Sequence, residues 1–447
     1  MPAGMPNNEV RVKGNTVKRS IKIAAAAFAA ISAIGLVGCS SSGGKTSSDL
    51  GTPGAKLSGT VTFWDAYSSD SPEVQTLEKT IIPAFEKLHP GVTVKDVVVP
   101  YDDLHQKLVT AVAGDQLPDL VRSDIIWVPE LANLGVLVPL DQQMPDFKTF
   151  ADQTYPGSLA TNEWKGHYYG LPLDTNTRVL LYSQDTLSKA GITAPPATID
   201  DLMADGPKLK AQGVYAFADN GASGWNVLPW IWSAGGDITN PDYTKASGFL
   251  NSAASVQGVQ NLVDMLKAGY IPDIILGGSG GLGTSDGLAK GKYASILDGP
   301  WTYPTFQSQY PDFKLDQAPV PSGAGGSVSV VGGEDVVLTQ SSKNKAAATE
   351  FMRYLLGPDA QLAMAKVGQM PVLKDLGDQL TQINSYYAEY ATQLQTAKPR
   401  PVTPAWTQID TLLQDDVRAA LKGTKTVQQA LDDAATKADA LLAKYSQ

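Results

Sequence analysis

The order of predicted elements identifies an α/β fold. Segments with strand character cover residues 59–64, 92–99 and 119–122, and apolar residues at helical spacing occupy residues 74–88 and 104–112 between them. A strand, helix, strand, helix, strand order predicts a parallel sheet covered by helices. The chain of 447 residues exceeds the usual size of one hydrophobic core, so we expect two domains.

Local signals predict where several helices begin or break. Ser71 followed by Pro72 is typical of a helix start, because serine caps the free N–H groups and proline fits the first helical turn. Pro83 lies inside the apolar pattern that follows and predicts a bend or a division of that helix. Near the C terminus, residues 426–443 carry one apolar face and predict a further helix.

The N-terminal segment has the pattern of an export signal that ends in a lipid attachment site. Five basic residues precede an uncharged run from Ile23 to Gly35, which is the order found in a secretory signal peptide. Gly38 and Cys39, the only cysteine, resemble the bacterial lipobox, in which the cysteine is lipidated and the preceding peptide is removed. We expect residues 1–38 to be a signal peptide. The alternative is an incidental cysteine beside an ordinary secretory cleavage site.

Residues 39–56 follow as a segment rich in Ser, Gly, Thr and Pro. This composition has too little apolar surface to fold and predicts a flexible tether that starts at the lipidated Cys39. The expected location is therefore outside the cytoplasm, with the protein anchored to the cell membrane as a lipoprotein.

The charge of the chain argues against nucleic-acid binding. Its net formal charge is −10, and removal of residues 1–38 makes it −14. Recognition of nucleic acid needs a concentrated cationic surface, which this composition does not supply. An acidic surface is also repelled by anionic lipid, so membrane attachment would depend on the lipid anchor alone.

Candidate ligand-binding residues follow from the fold class. In open α/β sheets, ligands bind beyond the carboxyl ends of the strands. Trp64 and Asp65 end the first predicted strand, and Asp124 and Trp127 follow the third, so we expect these four side chains at one rim. Asp124 could instead cap a helix that begins near residue 125, and Asp side chains in loops commonly cap turns.

The tryptophan residues are divided between rim and core by their predicted local structure. Trp64, Trp230 and Trp301 lie at predicted strand ends or beside Gly and Pro, so we assign them to an exposed rim. Trp225 and Trp232 are assigned to the core, where most tryptophan side chains pack.

Signals for catalysis are weak. The three histidines have no metal-ligand spacing, and no Gly-x-Ser-x-Gly motif is present, so we expect neither a metal nor another cofactor. A secreted glycoside hydrolase, which needs a pair of carboxyl groups, is an alternative that the sequence leaves open. The candidate groups are mostly Asp and Asn near polar loops, which favours binding over hydrolysis. A binding protein for a different polar solute is a further alternative.

The sequence also resembles a known family. Residues 119–141 are similar to the first-domain signature of the extracellular sugar-binding proteins of ATP-binding-cassette (ABC) importers, the maltose-binding type. The similarity continues in order through residues 170–178, 229–236, 291–301, 332–334 and 400–406. It implies a periplasmic-binding-protein-like clamshell of type II, in which two α/β lobes are joined by three crossings and the ligand binds between them.

The resemblance also implies domain limits. We expect crossings near residues 174–178, 328–333 and 365–370. The N-terminal lobe would then comprise residues 57–173 plus 334–364, and the C-terminal lobe residues 175–331 plus 365–447.

By the same resemblance, we expect a monomer without enzymatic activity. It would capture a di- or oligosaccharide and deliver it to the transmembrane permease subunits of an ABC importer. The implied polar contacts to the sugar are Asp124, Asp174, Arg400 and the backbone of Gly332 and Gly333, and the implied stacking residues are Trp230 and Trp301. Trp64, Asp65, Asn176, Arg178 and Glu334 complete the expected ligand-binding set. A pyranose packs its C–H face on an indole and offers its hydroxyl edge to carboxylate and guanidinium groups.

Overall fold

The computed structural model describes residues 50–51, 56–277 and 282–445. The predicted signal peptide, Cys39 and most of the predicted tether lie outside the described residues. In the described part of the chain the strands form a five-stranded sheet, a three-stranded sheet and a two-stranded hairpin.

The strands are β1 (Gly59–Asp65), β2 (Val92–Val98), β3 (Leu120–Asp124), β4 (Glu163–Trp164), β5 (His167–Tyr168), β6 (Gly170–Thr177), β7 (Val179–Tyr182), β8 (Ser295–Asp298), β9 (Asp316–Ala318) and β10 (Val331–Leu338).

The helices up to β8 are α1 (Pro72–Thr76), α2 (Ile82–Leu88), α3 (Tyr101–Gly114), α4 (Val128–Asn133), α5 (Leu140–Gln143), α6 (Phe147–Gln153), α7 (Pro156–Ala160), α8 (Gln184–Lys189), α9 (Ile199–Ala211), α10 (Gly224–Ser233), α11 (Ala253–Ala268) and α12 (Thr284–Ala289). Those after β8 are α13 (Thr302–Gln309), α14 (Lys345–Leu355), α15 (Pro358–Ala365), α16 (Gly377–Ile383), α17 (Tyr387–Leu394), α18 (Trp406–Leu421) and α19 (Val427–Leu442). Two short 3₁₀ segments cover Asp273–Leu276 and Lys374–Leu376.

The larger sheet is mixed. Its strand order is β2-β1-β3-β10-β6, with β1 parallel to β2 and β3 and with β10 antiparallel to β3 and β6. The predicted parallel order is therefore found for the first three strands. Only β10 runs against the other four strands. It enters this sheet after the chain has passed through the smaller sheet, and local sequence patterns do not reveal such a pairing.

A β-bulge interrupts the pairing of β6 with β10. Glu334 pairs with Asp174 whereas Asp335 pairs with Pro172, so Leu173 is an extra residue on β6. A bulge of this kind bends the strand and increases its local twist. It therefore sets the direction in which β6 leaves the sheet.

Separate hydrophobic clusters cover the two faces of this sheet. On one face Phe63 packs edge-to-face on Phe351 of α14, and Phe85 of α2 packs on the same ring. On the other face the buried Leu104 and Leu108 of α3 join Trp127 and residues of β3 and β10. The alternation of side chains along each strand produces this division.

The helix predicted after Ser71 is present but divided. The Ser71 side chain accepts a hydrogen bond from the Val74 N–H, as expected of an N-cap. The helix α1 ends at Thr76, a π-helical segment covers Leu77–Ile81, and α2 begins with Pro83 in its first turn. Proline has no N–H to continue the α-helical pattern, so the expected division is confirmed.

The smaller sheet has the order β8-β7-β9 and is antiparallel. Only Arg178 separates β6 of the larger sheet from β7 of the smaller one, so the chain passes directly between the two sheets at that residue. It returns between β9 and β10. Helix α19 packs against α18 beside the smaller sheet, and Thr426 forms a capping box with Gln429 at the predicted start of α19.

A third connected segment lies beside both sheets. The Thr175 N–H of β6 donates to the Met370 carbonyl over 3.1 Å, and the Tyr155 N–H donates to the Val372 carbonyl over 3.1 Å. Ala365 and Met370 belong to the cluster beside the smaller sheet, whereas Val372 belongs to the cluster beside the larger one. The residue limits given above for the two lobes stay a prediction.

Candidate functional site

Three carboxyl groups lie side by side where the larger sheet ends. The strand register pairs Glu334 of β10 with Asp124 of β3 on one side and with Asp174 of β6 on the other. Positions on β3 and β10 that lie further from this end, such as Leu120 and Val336, are apolar and buried. The apolar surface of the sheet therefore gives way to a row of carboxyl groups at its end.

Arg122 supplies the positive charge beside this row. Its Nη2 lies 2.7 Å from Glu334 Oε2 and 3.1 Å from Asp174 Oδ2, and it also donates to Gln369 Oε1 over 3.4 Å. Its guanidinium lies 3.9 Å from the ring centroid of Tyr67. Burial raises the pKa of Glu334 well above its usual range, although Arg122 opposes this shift.

Asp65 adds a further carboxylate at the end of β1. It is fully buried and accepts a hydrogen bond of 2.8 Å from the Tyr67 N–H through Oδ1. Its Oδ2 has no hydrogen-bond partner among the described residues. Burial, followed by the influence of Asp65, raises the pKa of Asp96 to about 9. Asp96 therefore holds its proton at neutral pH, mainly because it is buried.

Arg400 reaches the row from the segment before α18. Its Nη2 donates to Asp124 Oδ1 over 3.0 Å, and both side chains are nearly fully buried. Asp124 also accepts from the Tyr101 hydroxyl over 2.6 Å and from the Ile126 N–H over 2.9 Å. It thus caps a turn before α4 and contacts Arg400 at the same time, so the two alternatives raised from the sequence are compatible.

Two indole rings lie next to Arg400. The ring of Trp225 in α10 is 6.3 Å from that of Trp301 at an interplanar angle of 28°, and Trp301 immediately precedes α13. The guanidinium groups of Arg178 and Arg400 each lie 5.6 Å from the centroid of the Trp225 ring. An unbroken series of contacts therefore runs from Asp124 through Arg400 and Trp225 to Trp301.

Arg178, an expected ligand contact, is occupied by the protein itself. Its Nη1 donates to the Trp225 carbonyl over 2.9 Å, and its Nη2 lies 2.8 Å from Asp219 Oδ1 and 2.5 Å from the Leu297 carbonyl oxygen. Only 2% of the residue is exposed. These contacts hold the first turn of α10, and with it Trp225, against the point where the chain crosses between the sheets.

Glycine is required at the first two residues after Val331 in β10. A Cβ on Gly332 would lie 2.2 Å from Asn176 Oδ1 and 2.7 Å from Trp225 Cζ3, and Gly333 has a φ of +135° with a Cβ position 2.5 Å from the Asp174 carbonyl oxygen. Close packing at Gly332 therefore brings Asn176 and Trp225 together at the edge of the site.

We expect Gly332→Ala to weaken ligand binding at least tenfold, because the added methyl group has to displace the Trp225 ring or the Asn176 amide. The change is measured by calorimetric titration of the purified protein. Gly157→Ala is the matched control, since a Cβ there would meet no atom within 4 Å. An unchanged dissociation constant for Gly332→Ala would show that the position of Trp225 does not matter to the ligand.

The structure contradicts the assignment of Trp230 and extends that of Trp225. Trp230, expected at the rim, is 3% exposed and packs edge-to-face on Phe217 in the core. It lies inside α10 rather than at a strand end, so its side chain turns inward with the helix. Trp225, assigned to the core, is partly buried and packs against that core, and its ring also lies next to Arg400 and Trp301. Trp232 is in the core, as expected.

The two tryptophans expected beside Asp65 and Asp124 lie apart from the row. Trp64 packs on the opposite face of the sheet from Asp65, because successive side chains alternate along a strand, and Lys107 Nζ lies 4.2 Å from its ring centroid. Trp127 is buried on that same face and stacks on Tyr101. The prediction that two carboxylates and two indoles lie together at one rim is therefore wrong for these two indoles.

Sequence reasoning missed Arg122, Trp225, Tyr101 and Gln369. An arginine inside a short buried strand is unusual and was the available signal for Arg122. Gln369 donates to Glu73 Oε1 over 3.3 Å and accepts from Arg122, but nothing in its local sequence indicates this role.

The chain forms two α/β layers that are joined by crossing segments. Charged and aromatic groups from both layers meet beyond the strand ends, and this arrangement defines a two-lobed solute-binding fold. The chain belongs to the bacterial extracellular solute-binding protein family, whose model matches residues 68–362. A binding protein of Brucella abortus (strain 2308) is 30% identical over 373 residues, which cover 81% of this chain and 88% of the relative.

More distant relatives bind different solutes. The galactooligosaccharide-binding protein of Bacillus subtilis (strain 168) is 23% identical over 82% of this chain and 87% of its own length. The sn-glycerol-3-phosphate-binding periplasmic protein of Pectobacterium atrosepticum is 25% identical over 89% of this chain and 94% of its own length.

Solved structures share the fold. An ABC-transporter solute-binding protein of Thermotoga lettingae, bound with α-D-tagatose, has a TM-score of 0.77 and 26% identity and covers 86% of this chain and all of its own. The GacH receptor of Streptomyces glaucescens, solved unliganded and with acarbose, has a TM-score of 0.79 and 24% identity over 86% of this chain and 99% of its own.

Proposed function

We propose that this protein captures a sugar between its two lobes and delivers it, as a monomer, to the permease subunits of an ABC importer. This proposal rests on one observation. The row of carboxyl groups formed by Asp124, Glu334 and Asp174 lies next to Arg400, Trp225 and Trp301. Carboxylate and guanidinium groups match the hydroxyl edge of a pyranose, and indole faces match its C–H face. The tagatose-bound and galactooligosaccharide-binding relatives support the same class of ligand.

The proposed mechanism is closure of the lobes on the ligand, with residues 57–173 plus 334–364 as one lobe and 175–331 plus 365–447 as the other. Asp124 and Glu130 lie in the first lobe, and their partners Arg400 and Thr407 lie in the second. A sugar favours the closed form only to the extent that it binds that form more tightly than the open one. The role is binding without chemical change, and ATP hydrolysis belongs to a separate chain.

A thermal-shift screen of mono- and oligosaccharides tests the sugar ligand, followed by calorimetry on any sugar that binds. A ligand present at a hundred times its Kd should add about 2.7 kcal/mol to the free energy of unfolding, seen as a rise of the melting temperature. Product analysis of the same mixtures tests the glycosidase alternative. Released monosaccharide would contradict the binding role, and a screen without any shift would contradict the sugar ligand.

We also propose that Cys39, which lies outside the described residues, anchors the mature protein to the membrane through lipid. None of the helices in the described part of the chain has the length and apolarity needed to cross a bilayer. We expect Cys39→Ser to abolish incorporation of labelled palmitate and to leave residues 1–38 uncleaved. Ser40→Ala is the control and should keep both. Incorporation of palmitate into the Cys39→Ser protein would contradict the anchor.

A further inference from the structure

The balance of charges at the candidate site bears on the kind of sugar it takes. Four carboxyl groups, those of Asp65, Asp124, Asp174 and Glu334, lie at the strand ends, and each of these residues is buried or nearly so. The guanidinium groups that contact this set belong to Arg122 and Arg400. The site therefore contains more carboxyl groups than cations.

Both guanidinium groups are already paired. Arg122 lies between Asp174 and Glu334, and Arg400 donates to Asp124. The third arginine nearby, Arg178, is paired with Asp219. A phosphate or carboxylate on a ligand would have to displace one of these carboxylates from its arginine, and an unpaired buried carboxylate is costly.

Several oxygens at the site lack ordinary donors within the protein. Asp65 Oδ2, Asp174 Oδ1 and Asn176 Oδ1 are buried and accept no hydrogen bond from a backbone, amide, hydroxyl or guanidinium group of the described residues. The carboxyl groups of Asp96 and Glu334 lie beside Asp65 and Asp174 and can share a proton with them. Asp65, Asp174 and Asn176 are at most 5% exposed. Buried acceptors of this kind are normally satisfied, so they point to donors that a ligand brings.

The same region also holds donors suited to neutral oxygens. The Nε–H groups of Arg122 and Arg400 have no acceptor among the described residues. They can donate to sugar hydroxyl oxygens without disturbing the ion pairs made by the Nη atoms. The site thus offers hydrogen bonds of both kinds to hydroxyl groups, together with more carboxyl groups than cations.

From this arrangement we infer that the site prefers a saccharide carrying a protonated amine over its neutral analogue and excludes the corresponding phosphate ester. The ammonium group would lie against Asp174 and Glu334, where it supplies the missing positive charge, and the ring hydroxyls would occupy the unpartnered acceptors. This inference rests on the proposed sugar-binding function. It also separates this protein from its relative that binds sn-glycerol 3-phosphate.

The test compares sugars that differ only in charge. Glucosamine, glucose and glucose 6-phosphate are titrated calorimetrically into the full-length mature protein, and the β-1,4-linked disaccharides of glucosamine and of glucose form a second pair. We expect the amine to bind at least tenfold more tightly than the neutral sugar in at least one pair, and the phosphate to bind at least tenfold more weakly than glucose. Equal or weaker binding of the amine in both pairs, or tight binding of the phosphate, would overturn the inference while leaving sugar capture intact. Absence of binding by every sugar in this set and in the saccharide screen would overturn both.

Variants assign the preference to particular carboxyl groups. The double variant Asp174→Asn with Glu334→Gln keeps the shapes of both side chains and removes their charges. We expect the ratio of the neutral-sugar Kd to the amine Kd to fall to about one, whatever happens to the two affinities individually. Asp152→Asn, which removes an exposed carboxylate on α6, should keep the wild-type ratio. A ratio of ten or more in the folded double variant, checked by near-ultraviolet circular dichroism, would show that the preference does not come from these groups.

Discussion

Replacement of Trp301 by alanine should weaken saccharide binding about 30-fold and leave the fold intact. The indole is partly exposed, lies just after β8 and faces Trp225 at 6.3 Å, so it can cover the apolar face of a sugar ring. Loss of the apolar area that an indole buries against a ligand costs on the order of 2 kcal/mol, which is a factor of about 30 in Kd. Calorimetric titration with the sugar found in the thermal-shift screen measures the change.

Two further variants separate stacking from a general effect of losing a tryptophan. Trp301→Phe keeps an aromatic face and should lose less affinity than Trp301→Ala. Trp164→Ala removes a partly buried indole on the β4–β5 hairpin and should leave affinity unchanged. An unaltered Kd for Trp301→Ala would remove this residue from the site.

Replacement of Arg122 by methionine should lower the free energy of unfolding by about 3–5 kcal/mol at neutral pH, because removal of one partner leaves buried carboxyl groups without their cation. Methionine fills much of the same volume, so the loss reflects charge more than packing. Denaturant unfolding measures the change. Lys148→Met is the control, since that side chain is 85% exposed and its replacement should alter stability by less than about 0.5 kcal/mol.

The loss in Arg122→Met should depend on pH. Burial raises the pKa of Glu334 in the folded protein, and removal of Arg122 takes away the main opposing influence and raises this pKa further. The folded variant then binds the Glu334 proton more tightly than the unfolded chain does, so its stability falls as the pH rises above about 4.5. The wild-type protein loses stability in the same way up to its own raised Glu334 pKa, so we expect the deficit to be constant below that pKa and to grow above it. Unfolding measured across the range from acidic to alkaline pH checks this, and a deficit of equal size over the whole range would contradict this account of Glu334.

Local sequence was sufficient to predict much of the fold and part of the site. β-branched segments separated by helical patterns identified β1, β2 and β3 and the helices between them, and the strand-end rule selected Asp65 and Asp124. The order of motifs predicted the family. The place of Arg400 in the expected ligand-binding set came only from the resemblance, because 276 residues separate it from Asp124 in the chain.

The errors have physical causes. Helix α10 is apolar on all sides, with Val227, Leu228, Trp230, Ile231 and Trp232 all buried, so periodicity could not show which indole faces outward. The predicted role of Trp64 failed because the strand alternates its side chains and only every second one shares the face of Asp65. The charges around Glu334 could not be predicted, because they depend on the pairing of β10 with both β3 and β6. No local sequence pattern contains that pairing.

The bulge at Leu173 makes this site more sensitive to chain length than to side-chain identity. Residues 170–172 are held in one alignment with β10, and residues from Asp174 onward are held in another. Deletion of Leu173 would merge the two alignments and straighten β6, so Asn176 and the crossing at Arg178 would point in a new direction even though every other amino acid was retained. Loop grafts and homologue chimeras that change the number of residues in β6 should therefore lose function. Point substitutions of Leu173 by other apolar residues should keep it.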